Sequence, residues 1–313
     1  MSSTTEMLNS SDSFEPCRRR LLGLAYRMLG SMADAEDAVQ ETYLRWHAAD
    51  RDKVSEPKAF LMTTTTRICL DMLTSARARH DEYVGPWLPE PIFDTASLTP
   101  DSRAELAEDL SIALLLTLDR LSPLERAAFL LHDVFDFSFR EVATALQRSE
   151  AACRQLASRA RANVRAARPR GVTPPQASSG GVDAEHARLL SAFTAAVQSG
   201  DLQVLTQLLA TDVRVITDGG GKVRAALNAI DGSDRVAQFL VNVTRKHPDA
   251  WWREDFTIRF ALVNGLPGIV VDSPAGPVQT TAFEIEGDVV KALYVVRNPD
   301  KLRHLAVGAA RER

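Results

Sequence analysis

Two capping patterns, sixteen residues apart, constrain the fold of this chain more than any other sequence feature. In each pattern a serine is followed three residues later by a glutamate: Ser122 with Glu125, and Ser138 with Glu141. Such a serine accepts a hydrogen bond from a free amide at a helix N-terminus, and the glutamate reaches back to the serine amide. Proline directly after Ser122 is favoured at the first helical position. The patterns predict one helix from Ser122 to about Val134 and a second helix from Ser138.

A third helix is predicted directly after the second. The second helix buries Val142, Ala143 and Leu146 and breaks at Gln147-Arg148, after which Ser149 is the N-cap candidate of the third helix. One side of the third helix is apolar, at Ala152, Cys153, Leu156 and Ala160. The opposite side turns these residues outward: Glu150, Arg154, Gln155, Ser158, Arg159 and Arg161.

Positive charge is concentrated on and after this third helix. From Arg148 to Arg170 there are seven arginines and one acidic residue, whereas the whole chain has a formal net charge of −4. A local basic stripe is what the neutralisation of nucleic-acid phosphates requires. The three helices therefore predict a helix-turn-helix that binds DNA, and the alternative is a solvated charged helix of an all-α protein.

Composition divides the 313 residues into three blocks separated by two linkers. Between Asp81 and Asp109 there are eight acidic residues, one basic residue and four prolines, a composition that resists regular helix. The stretch from Pro169 to Gly181 is rich in proline, glycine and serine, which is typical of a mobile, semi-extended segment. The blocks before, between and after these linkers are long enough for separate domains.

The cysteines and the apolar stretches argue against an exported or membrane-bound protein. Cys17, Cys69 and Cys153 are far apart, and neither a C-x-x-C pair nor a histidine cluster accompanies them. That pattern predicts reduced thiols without a metal site or disulfide framework. The most aliphatic stretch, Ile112 to Leu118, is too short to span a bilayer. We therefore expect a soluble cytoplasmic protein without a metal or cofactor.

The N-terminal block has the periodicity of three helices. The first is predicted from Glu15 to Leu29, the second from Asp34 to Ala49, and the third from about Pro57. The second helix can bury Ala35, Ala38, Val39 and Trp46. Its polar surface then consists of Glu36, Asp37, Gln40 and Glu41.

Three of these segments resemble parts of one protein family. The sequence from Asp34 to Trp46 resembles the polymerase-binding helix of sigma-70 domain 2, and the sequence from Pro57 to Arg77 resembles the promoter-melting helix that follows it. The sequence from Leu121 to Arg161 resembles sigma domain 4. With both domains in order, residues from Phe14 to about Arg165 resemble the extracytoplasmic-function (ECF) sigma factors, which lack the domain between these two.

The resemblance implies a partner and a contact surface. Sigma domains of this kind bind core RNA polymerase, through the clamp helices of its largest subunit and through its flap region. The positions that match the clamp-binding motif here are Asp37, Ala38, Val39, Gln40 and Glu41. The alternative for any one of them is an ordinary solvated helix face.

The resemblance also implies two promoter-binding surfaces. Melting of the upper promoter element needs a basic surface for single-stranded DNA, and Arg67, Arg77 and Arg79 are the phosphate-contact candidates. The run from Thr63 to Thr66 either contacts DNA or is packing. Domain 4 reads the distal promoter element in the major groove. Its implied DNA-binding residues are Ser149, Arg154, Gln155, Ser158 and Arg159, with Arg161 and Arg165 on phosphates.

The block from Asp183 to Arg313 is predicted to form helices first and an antiparallel sheet afterwards. Helices are expected from Asp183 to Val197, after the N-cap Asp201 and after Ser233, and a strand from Val213 to Thr217. Asn264-Gly265 is a strong hairpin signal between later strands. This order resembles the SnoaL-like fold that is shared with nuclear transport factor 2, an α+β cone.

Three short strings make the resemblance more specific. Trp87-Leu-Pro-Glu-Pro91 in the acidic linker, Asp218-Gly-Gly-Gly-Lys222 and Asn298-Pro-Asp-Lys-Leu302 resemble signatures of SigJ-type sigma factors, which carry a fused SnoaL-like domain. In that group the extension is thought to regulate the sigma factor, so that a separate anti-sigma protein is not required. The implied regulatory contacts are Trp87, Pro89, Glu90, Asp218, Gly219, Gly220, Gly221, Lys222, Asn298, Pro299, Asp300 and Lys301.

The sequence thus predicts a multidomain protein with two all-α sigma domains, a helical bundle (10–80) and a helix-turn-helix (110–170), plus an α+β SnoaL-like cone (183–313). The acidic linker is 81–109 and the flexible linker 171–182. Each of the three strings has an alternative interpretation that needs no regulatory contact. The glycine string and the Asn298 string could be ordinary turns, and Trp87 could be a hydrophobic peg.

Two functional alternatives stay open. The C-terminal block could bind or transform a small molecule in a pocket, although its acid-base candidates form no paired site and no catalytic residue is predicted. These candidates are His186, His247, Asp218, Asp255 and Asp288. The whole chain could also be an ordinary helix-turn-helix regulator with an effector domain, a reading that does not need the polymerase-binding motif.

Overall fold

The computed structural model describes residues 3–80, 83–93, 112–167, 182–246 and 255–309. The chain divides into two compact units. The first, here called the sigma unit, consists of Met1–Glu82 and Ala113–Arg170, and the second, the C-terminal unit, consists of Tyr83–Ile112 and Gly171–Arg313. His247, one of the acid-base candidates, lies outside the described residues.

Three long helices form the first half of the sigma unit. They are α1 (Ser3–Leu29), α2 (Met32–Ala48) and α3 (Pro57–His80), with a 3-10 turn at Arg51–Lys53. The Ser31 hydroxyl accepts a hydrogen bond from Asp34 N and caps α2. Buried apolar side chains hold the three helices together, among them Leu21, Leu24, Ala35, Trp46, Leu61 and Ile68. The predicted bundle is confirmed, and α1 begins earlier than the sequence pattern indicated.

The second half of the sigma unit contains the predicted helix-turn-helix. Its helices are α4 (Ile112–Asp119), α5 (Pro123–Phe129), a π-helical turn (Leu130–Val134), α6 (Phe139–Leu146) and α7 (Glu150–Ala167). Both capping boxes are formed, since each serine caps its helix and each glutamate bonds back to the serine. Gln147 adopts a left-handed conformation, with φ of 53°, and ends α6 where the break was predicted.

The buried stripe of α7 differs from the prediction. The fully buried residues are Cys153, Ala157, Ala160 and Val164, whereas Ala152 and Leu156 are only half-buried. Both α5 and α6 contact α7, and three of the four buried residues are alanine or cysteine. Of the basic residues predicted to face outward, Arg154 and Arg159 are exposed, whereas Arg161 is half-buried.

The C-terminal unit has an α+β fold, as expected. Its helices are α8 (Ala184–Ser199), α9 (Leu202–Leu208), α10 (Ser233–Lys246) and α11 (Pro299–Ala309). Its strands are β1 (Leu209–Asp218), β2 (Ile230–Asp231), β3 (Thr257–Val263), β4 (Leu266–Ser273), β5 (Gly276–Glu286) and β6 (Val289–Val296). The Asn264-Gly265 hairpin turn is confirmed, with both residues at positive φ.

The sheet is mixed, which corrects the prediction of an antiparallel sheet. Its strand order is β2-β1-β6-β5-β4-β3, and β1 pairs with β6 in parallel while the other neighbours are antiparallel. After β1 the chain crosses through α10 and a meander of strands, so that β6 returns beside β1 in the same direction. This parallel pair places the ends of β1 and β6, at Asp218 and Val296, next to each other.

The core of the C-terminal unit lies between one face of the sheet and helices α8 to α10. Phe193 of α8 meets Phe283 of β5 edge to face, with ring centroids 5.0 Å apart. Leu205, Val213 and Leu240 are buried in the same cluster. Among the residues that the structure describes, no helix is both long and apolar enough to cross a lipid bilayer.

Candidate functional site

Residues Tyr83–Phe93, here called the linker segment, are part of the C-terminal unit although they belong to the acidic linker in sequence. The middle of the segment is buried, from Leu88 to Pro91. The prolines prevent a regular helix and keep this stretch extended. Each of the three strings that the sequence singled out contributes to the way this segment is held.

Asp218, at the end of β1, is the centre of the site. Its carboxylate is fully buried. One oxygen accepts hydrogen bonds from Tyr83 Oη at 2.5 Å and Gly220 N at 3.0 Å. The other accepts from Leu88 N at 2.8 Å and Lys301 Nζ at 2.6 Å. Four donors around one buried carboxylate satisfy its charge, and two of them come from the linker segment.

Lys301, in the first turns of α11, provides the opposite charge. Only 6% of the residue is exposed. Besides Asp218, its ammonium donates to Leu88 O at 2.5 Å. It also lies 4.3 Å from the ring centroid of Trp87 and 4.8 Å from that of Tyr83, so both aromatic faces contact the cation. The linker segment therefore surrounds the buried ion pair with polar and aromatic groups.

Tyr83 connects the site to Asn298. The Asn298 side-chain amide donates to Tyr83 Oη at 2.9 Å, while Tyr83 donates its own proton to Asp218. Burial raises the pKa of the Tyr83 hydroxyl, and the hydrogen bond to Asp218 raises it further. The hydroxyl is thus held in its neutral, proton-donating form.

The glycines between Asp218 and Lys222 are required by space and by conformation. Gly220 has φ of +57°, and a Cβ there would overlap the side-chain amide of Asn298. A Cβ at Gly219 would overlap Val223 O, and Gly221 has φ of +70° beside Val84. The loop therefore packs against Asn298 and its own chain more closely than side chains allow, and it lies against Tyr83 and Val84 of the linker segment.

A second ion pair closes the site at the surface. Lys222 pairs with Asp300, and about half of each side chain is exposed. The hydrogen bond from Lys222 lowers the pKa of the Asp300 carboxyl. Asp300 N in turn donates to Asn298 Oδ1 at 3.1 Å, which begins α11 after Pro299. This pair ties the glycine loop to the start of α11.

The far end of the linker segment is attached to the edge of the sheet. Phe93 forms a β-bridge with Val263, and Asn264 exchanges two hydrogen bonds with Ile92, at 2.9 and 3.2 Å. On α11, His304 bonds to Pro91 O at 2.9 Å, and its other ring nitrogen lies 3.8 Å from a Glu90 carboxylate oxygen. The segment is thus fixed at both ends.

The polar face of α2 is a separate surface, on the sigma unit. Asp37 and Gln40 are exposed, and Glu41 forms an exposed ion pair with Arg45 at 2.8 Å. Ala38 and Val39 are buried. Their side chains therefore support α2 from inside the bundle and leave the surface to the three polar residues.

Helix α3 uses its threonines for packing. The hydroxyls of Thr64, Thr65 and Thr66 donate to carbonyls four residues earlier, and Thr65 also lies 3.0 Å from the buried Thr42 hydroxyl. This favours the packing alternative over DNA contact. Arg67 donates to two backbone carbonyls of α6, and the side chains of Arg77 and Arg79 are outside the described residues.

Helix α7 presents the predicted basic surface. Arg154, Gln155, Ser158, Arg159 and Arg165 are exposed. Three arginines pair with carboxylates of the sigma unit: Arg154 with Glu150 at 2.7 Å, Arg159 with Glu125 at 3.3 Å, and Arg161 with Asp133 at 2.6 Å. The Ser149 hydroxyl accepts from Ala152 N at 3.2 Å and caps the helix.

Comparisons with known proteins identify the family. The model of sigma-70 region 2 matches residues 14–79, and that of sigma-70 region 4 matches residues 111–164. The ECF RNA polymerase sigma factor SigJ of Mycobacterium tuberculosis is 39% identical over 297 residues, which cover 92% of this chain and 91% of that protein. This chain belongs to the ECF RNA polymerase sigma factors. It is of the SigJ type, with a fused C-terminal domain.

Two further comparisons extend over nearly the whole sigma factor. The probable ECF sigma factor SigI of M. tuberculosis is 29% identical over 289 residues, covering 91% of this chain and 92% of that protein. The crystal structure of M. tuberculosis SigJ matches with a TM-score of 0.70 and 35% identity, covering 93% of this chain and 97% of that chain. These matches confirm the fold class and the assignment of both sigma domains. The ordinary-regulator alternative is excluded, and the partners of this ECF sigma factor are core RNA polymerase and promoter DNA.

Several residues of the site in this sigma factor were not predicted from the sequence. Tyr83 and Leu88 both donate hydrogen bonds to Asp218, yet neither was predicted as a site residue. Asn264 was assigned only to a hairpin turn, and His304 had no assigned role. A tyrosine four residues before the tryptophan of a proline-rich string was the one available signal.

Proposed function

We propose that the C-terminal domain modulates this sigma factor by holding the linker segment between its two sigma domains. The observation that supports this most is the buried carboxylate of Asp218, two of whose four donors are Tyr83 Oη and Leu88 N. A domain that was merely appended to the chain would have satisfied this charge with its own groups. Here its interior is complete only when the linker segment is docked.

Docking restricts how far domain 4 can move from domain 2. The linker segment has eleven residues, and when extended they could span roughly 36–40 Å. While the segment is fixed on the C-terminal domain, the distance and direction between its two ends are fixed, and it cannot act as a flexible tether. Since the two sigma domains bind different promoter elements, a change in linker length shifts the balance between arrangements that fit a promoter and those that do not.

We infer the polymerase contacts and the cellular location from membership of the ECF sigma factor family. Asp37, Gln40 and Glu41 contact the clamp helices of the largest polymerase subunit, and domain 4 contacts the flap region. The regulator is part of the same chain, so a separate anti-sigma protein is not required. We place the protein in the cytoplasm, where its polymerase partner is.

Run-off transcription with core RNA polymerase tests the proposal. The full-length protein is compared with the variants Trp87→Ala, Lys222→Ala and Asp300→Ala, which loosen the linker segment or the loop that covers it. Lys291→Ala is the matched control, because Lys291 forms an exposed ion pair with Asp212 of the same domain and lies away from the site. We expect the three variants to change transcript yield and the control to match the wild type. Unchanged yield from all three would refute linker control.

A second proposal concerns a cavity inside the C-terminal domain. It has a volume of about 40 Å³ and lies between α8, α10 and the sheet. Its lining is apolar apart from a few groups such as Gln279 and Thr281, where the Gln279 amide donates to the Thr281 hydroxyl at 3.2 Å. A small apolar molecule with one hydrogen-bonding group fits this chemistry.

We propose binding in this cavity without catalysis. Its lining contains none of His186, Asp218, Asp255 or Asp288, so no acid or base from that set faces a ligand. Xenon is a suitable probe for a cavity of this size, and the methyl resonances of Val197, Leu240 and Ile269 should shift on its addition. Shifts confined to other methyl groups would contradict a ligand site here.

A further inference from the structure

Three arginines connect the helices of sigma domain 2 with those of domain 4 by donating to backbone carbonyls. The first is Arg67 of α3. Its Nε donates to Ala145 O at 2.9 Å and its Nη2 to Thr144 O at 2.7 Å. These carbonyls belong to the last turn of α6, where backbone oxygens lack partners within the helix and carry partial negative charge.

The second arginine makes the reverse connection. Arg126 of α5, in domain 4, donates from Nη1 to Met28 O at the end of α1 in domain 2. Its Nη2 bonds to Asp119 at 3.1 Å. Only 6% of Arg126 is exposed, and burial lowers its pKa. Each domain therefore supplies an arginine that caps the carboxyl end of a helix in the other.

The third arginine adds an aromatic contact. Arg20 of α1 donates from Nη2 to Phe135 O at 3.2 Å, directly after the π-helical turn of domain 4. The guanidinium groups of Arg20 and Arg27 lie 5.3 and 5.4 Å from the centroid of the Phe135 ring. We call Arg20, Arg67 and Arg126 the arginine latch.

We propose that the arginine latch is an autoinhibitory contact that keeps domains 2 and 4 closed on each other until promoter DNA replaces it at Arg67. While Nε and Nη2 of Arg67 donate to two carbonyls of α6, the same edge of its guanidinium cannot bind a DNA phosphate. Helix α3 is the one that the family uses on the upper promoter element. Domain 4 must therefore leave α3 before α3 binds that element.

The closed arrangement of domains 2 and 4 competes directly with the promoter-bound arrangement. Backbone carbonyls at a helix end carry partial negative charge and DNA phosphates carry full negative charge, and both accept hydrogen bonds from the same donors. Exchange between them therefore leaves few hydrogen-bonding groups unpaired. A permanent contact between the domains would, by contrast, be present in the promoter-bound protein as well. All contacts of the arginine latch lie within the sigma unit and are independent of linker control.

Arg67→Lys distinguishes loss of the latch hydrogen bonds from loss of positive charge. Lysine keeps the positive charge for a phosphate, but its single ammonium cannot reproduce the planar fork that reaches two carbonyls. Arg20→Ala removes a second latch contact at a residue with no assigned DNA role. Arg18→Lys is the matched control, because Arg18 is an exposed arginine of the same helix as Arg20.

The measurement is the distance between spin labels at Asp52 and Asn163, exposed positions in domains 2 and 4, in the full-length protein. A Cys17→Ser background leaves only the buried Cys69 and Cys153. We expect Arg67→Lys and Arg20→Ala to raise the fraction of long distances several-fold, and the control to match the wild type. Run-off transcription with core polymerase should increase for Arg20→Ala.

Two results would overturn the proposal. If both latch variants retain the wild-type distance distribution, the arginines do not hold the domains closed. If the distances lengthen while Arg20→Ala gives no more transcript than the wild type, opening is not what limits the sigma factor and the contacts are structural only. Neither result bears on linker control, since the linker segment is unchanged in these variants.

Discussion

Asp218 and Lys301 form an ion pair, with 2.6 Å between Oδ2 and Nζ, although both side chains are almost completely buried. Burying two charges is costly unless further hydrogen bonds satisfy them. Here Leu88 of the linker segment supplies bonds to both partners, from its N to Asp218 and from its O to Lys301. The ion pair and the docked segment therefore stabilise each other.

Asp218→Asn should destabilise the C-terminal domain strongly. The substitution leaves the Lys301 ammonium buried without an anionic partner, for which we expect a loss of about 3–5 kcal/mol in the free energy of unfolding. Urea unfolding measures this loss. Asp300→Asn is the control, since its pair with Lys222 is exposed and should contribute at most about 1 kcal/mol. Equal losses for the two variants would show that the buried pair contributes no more to stability than the exposed pair.

Gly220→Ala should undock the linker segment, whereas Gly287→Ala should not. Both glycines have nearly the same positive φ, +57° and +58°, so the backbone strain of roughly 1–2 kcal/mol is common to both variants. Only at Gly220 does the added Cβ overlap the Asn298 amide that holds Tyr83; at Gly287 nothing lies within 4 Å.

Hydrogen exchange at the Leu88 amide distinguishes these two glycine variants. We expect its protection to fall in Gly220→Ala and to persist in Gly287→Ala. Equal protection in the two variants would mean that the loop tolerates a side chain and that Asn298 moves aside. In that case the close approach of the glycine loop would not be needed for docking.

The parts of the fold that rest on local chemistry could be predicted from the sequence. The capping boxes at Ser122 and Ser138 and the hairpin turn at Asn264 each depend on a few neighbouring residues, and all three are formed. The parallel β1–β6 pair could not be predicted in this way. Alternation marks which residues face the core, but it does not specify the direction of a neighbouring strand.

The candidate site was predicted as three separate strings, and only the structure shows that they meet. Leu88 and Asp218 are 130 positions apart, and Asp218 and Lys301 are 83 apart, so no local pattern links them. Arg67 shows the same limit. Its acceptors are backbone carbonyls at a helix end, which look alike in every sequence.

Raising the pH should weaken the docking of the linker segment through Tyr83. Its pKa is raised from the ordinary value of 10.0, mainly by burial and then by the hydrogen bond to Asp218. The folded protein therefore keeps this proton more tightly than the unfolded chain. The contribution of Tyr83 to stability is complete below pH 10 and is lost as the pH rises through the folded-state pKa.

Tyr83→Phe tests this pH dependence, because phenylalanine has no proton to lose. We expect the variant to be less stable than the wild type at about pH 8, and to lose less stability than the wild type as the pH rises above about 10. Urea midpoints at a series of pH values measure both effects. Other tyrosines and lysines titrate equally in the two proteins, so parallel curves would contradict a role for the Tyr83 proton.

Arg165→Ala should weaken promoter binding through charge alone. Arg165 is exposed at the end of α7, and the resemblance to domain 4 places it on a DNA phosphate. Removing one phosphate contact should lower the slope of log K against log salt by about 0.9 and weaken different promoters to the same degree. Filter binding of the polymerase holoenzyme at several salt concentrations measures the slope. Arg188→Ala, an exposed arginine of α8, is the control and should leave it unchanged. Loss of affinity for one promoter sequence only would instead make Arg165 a base-reading residue.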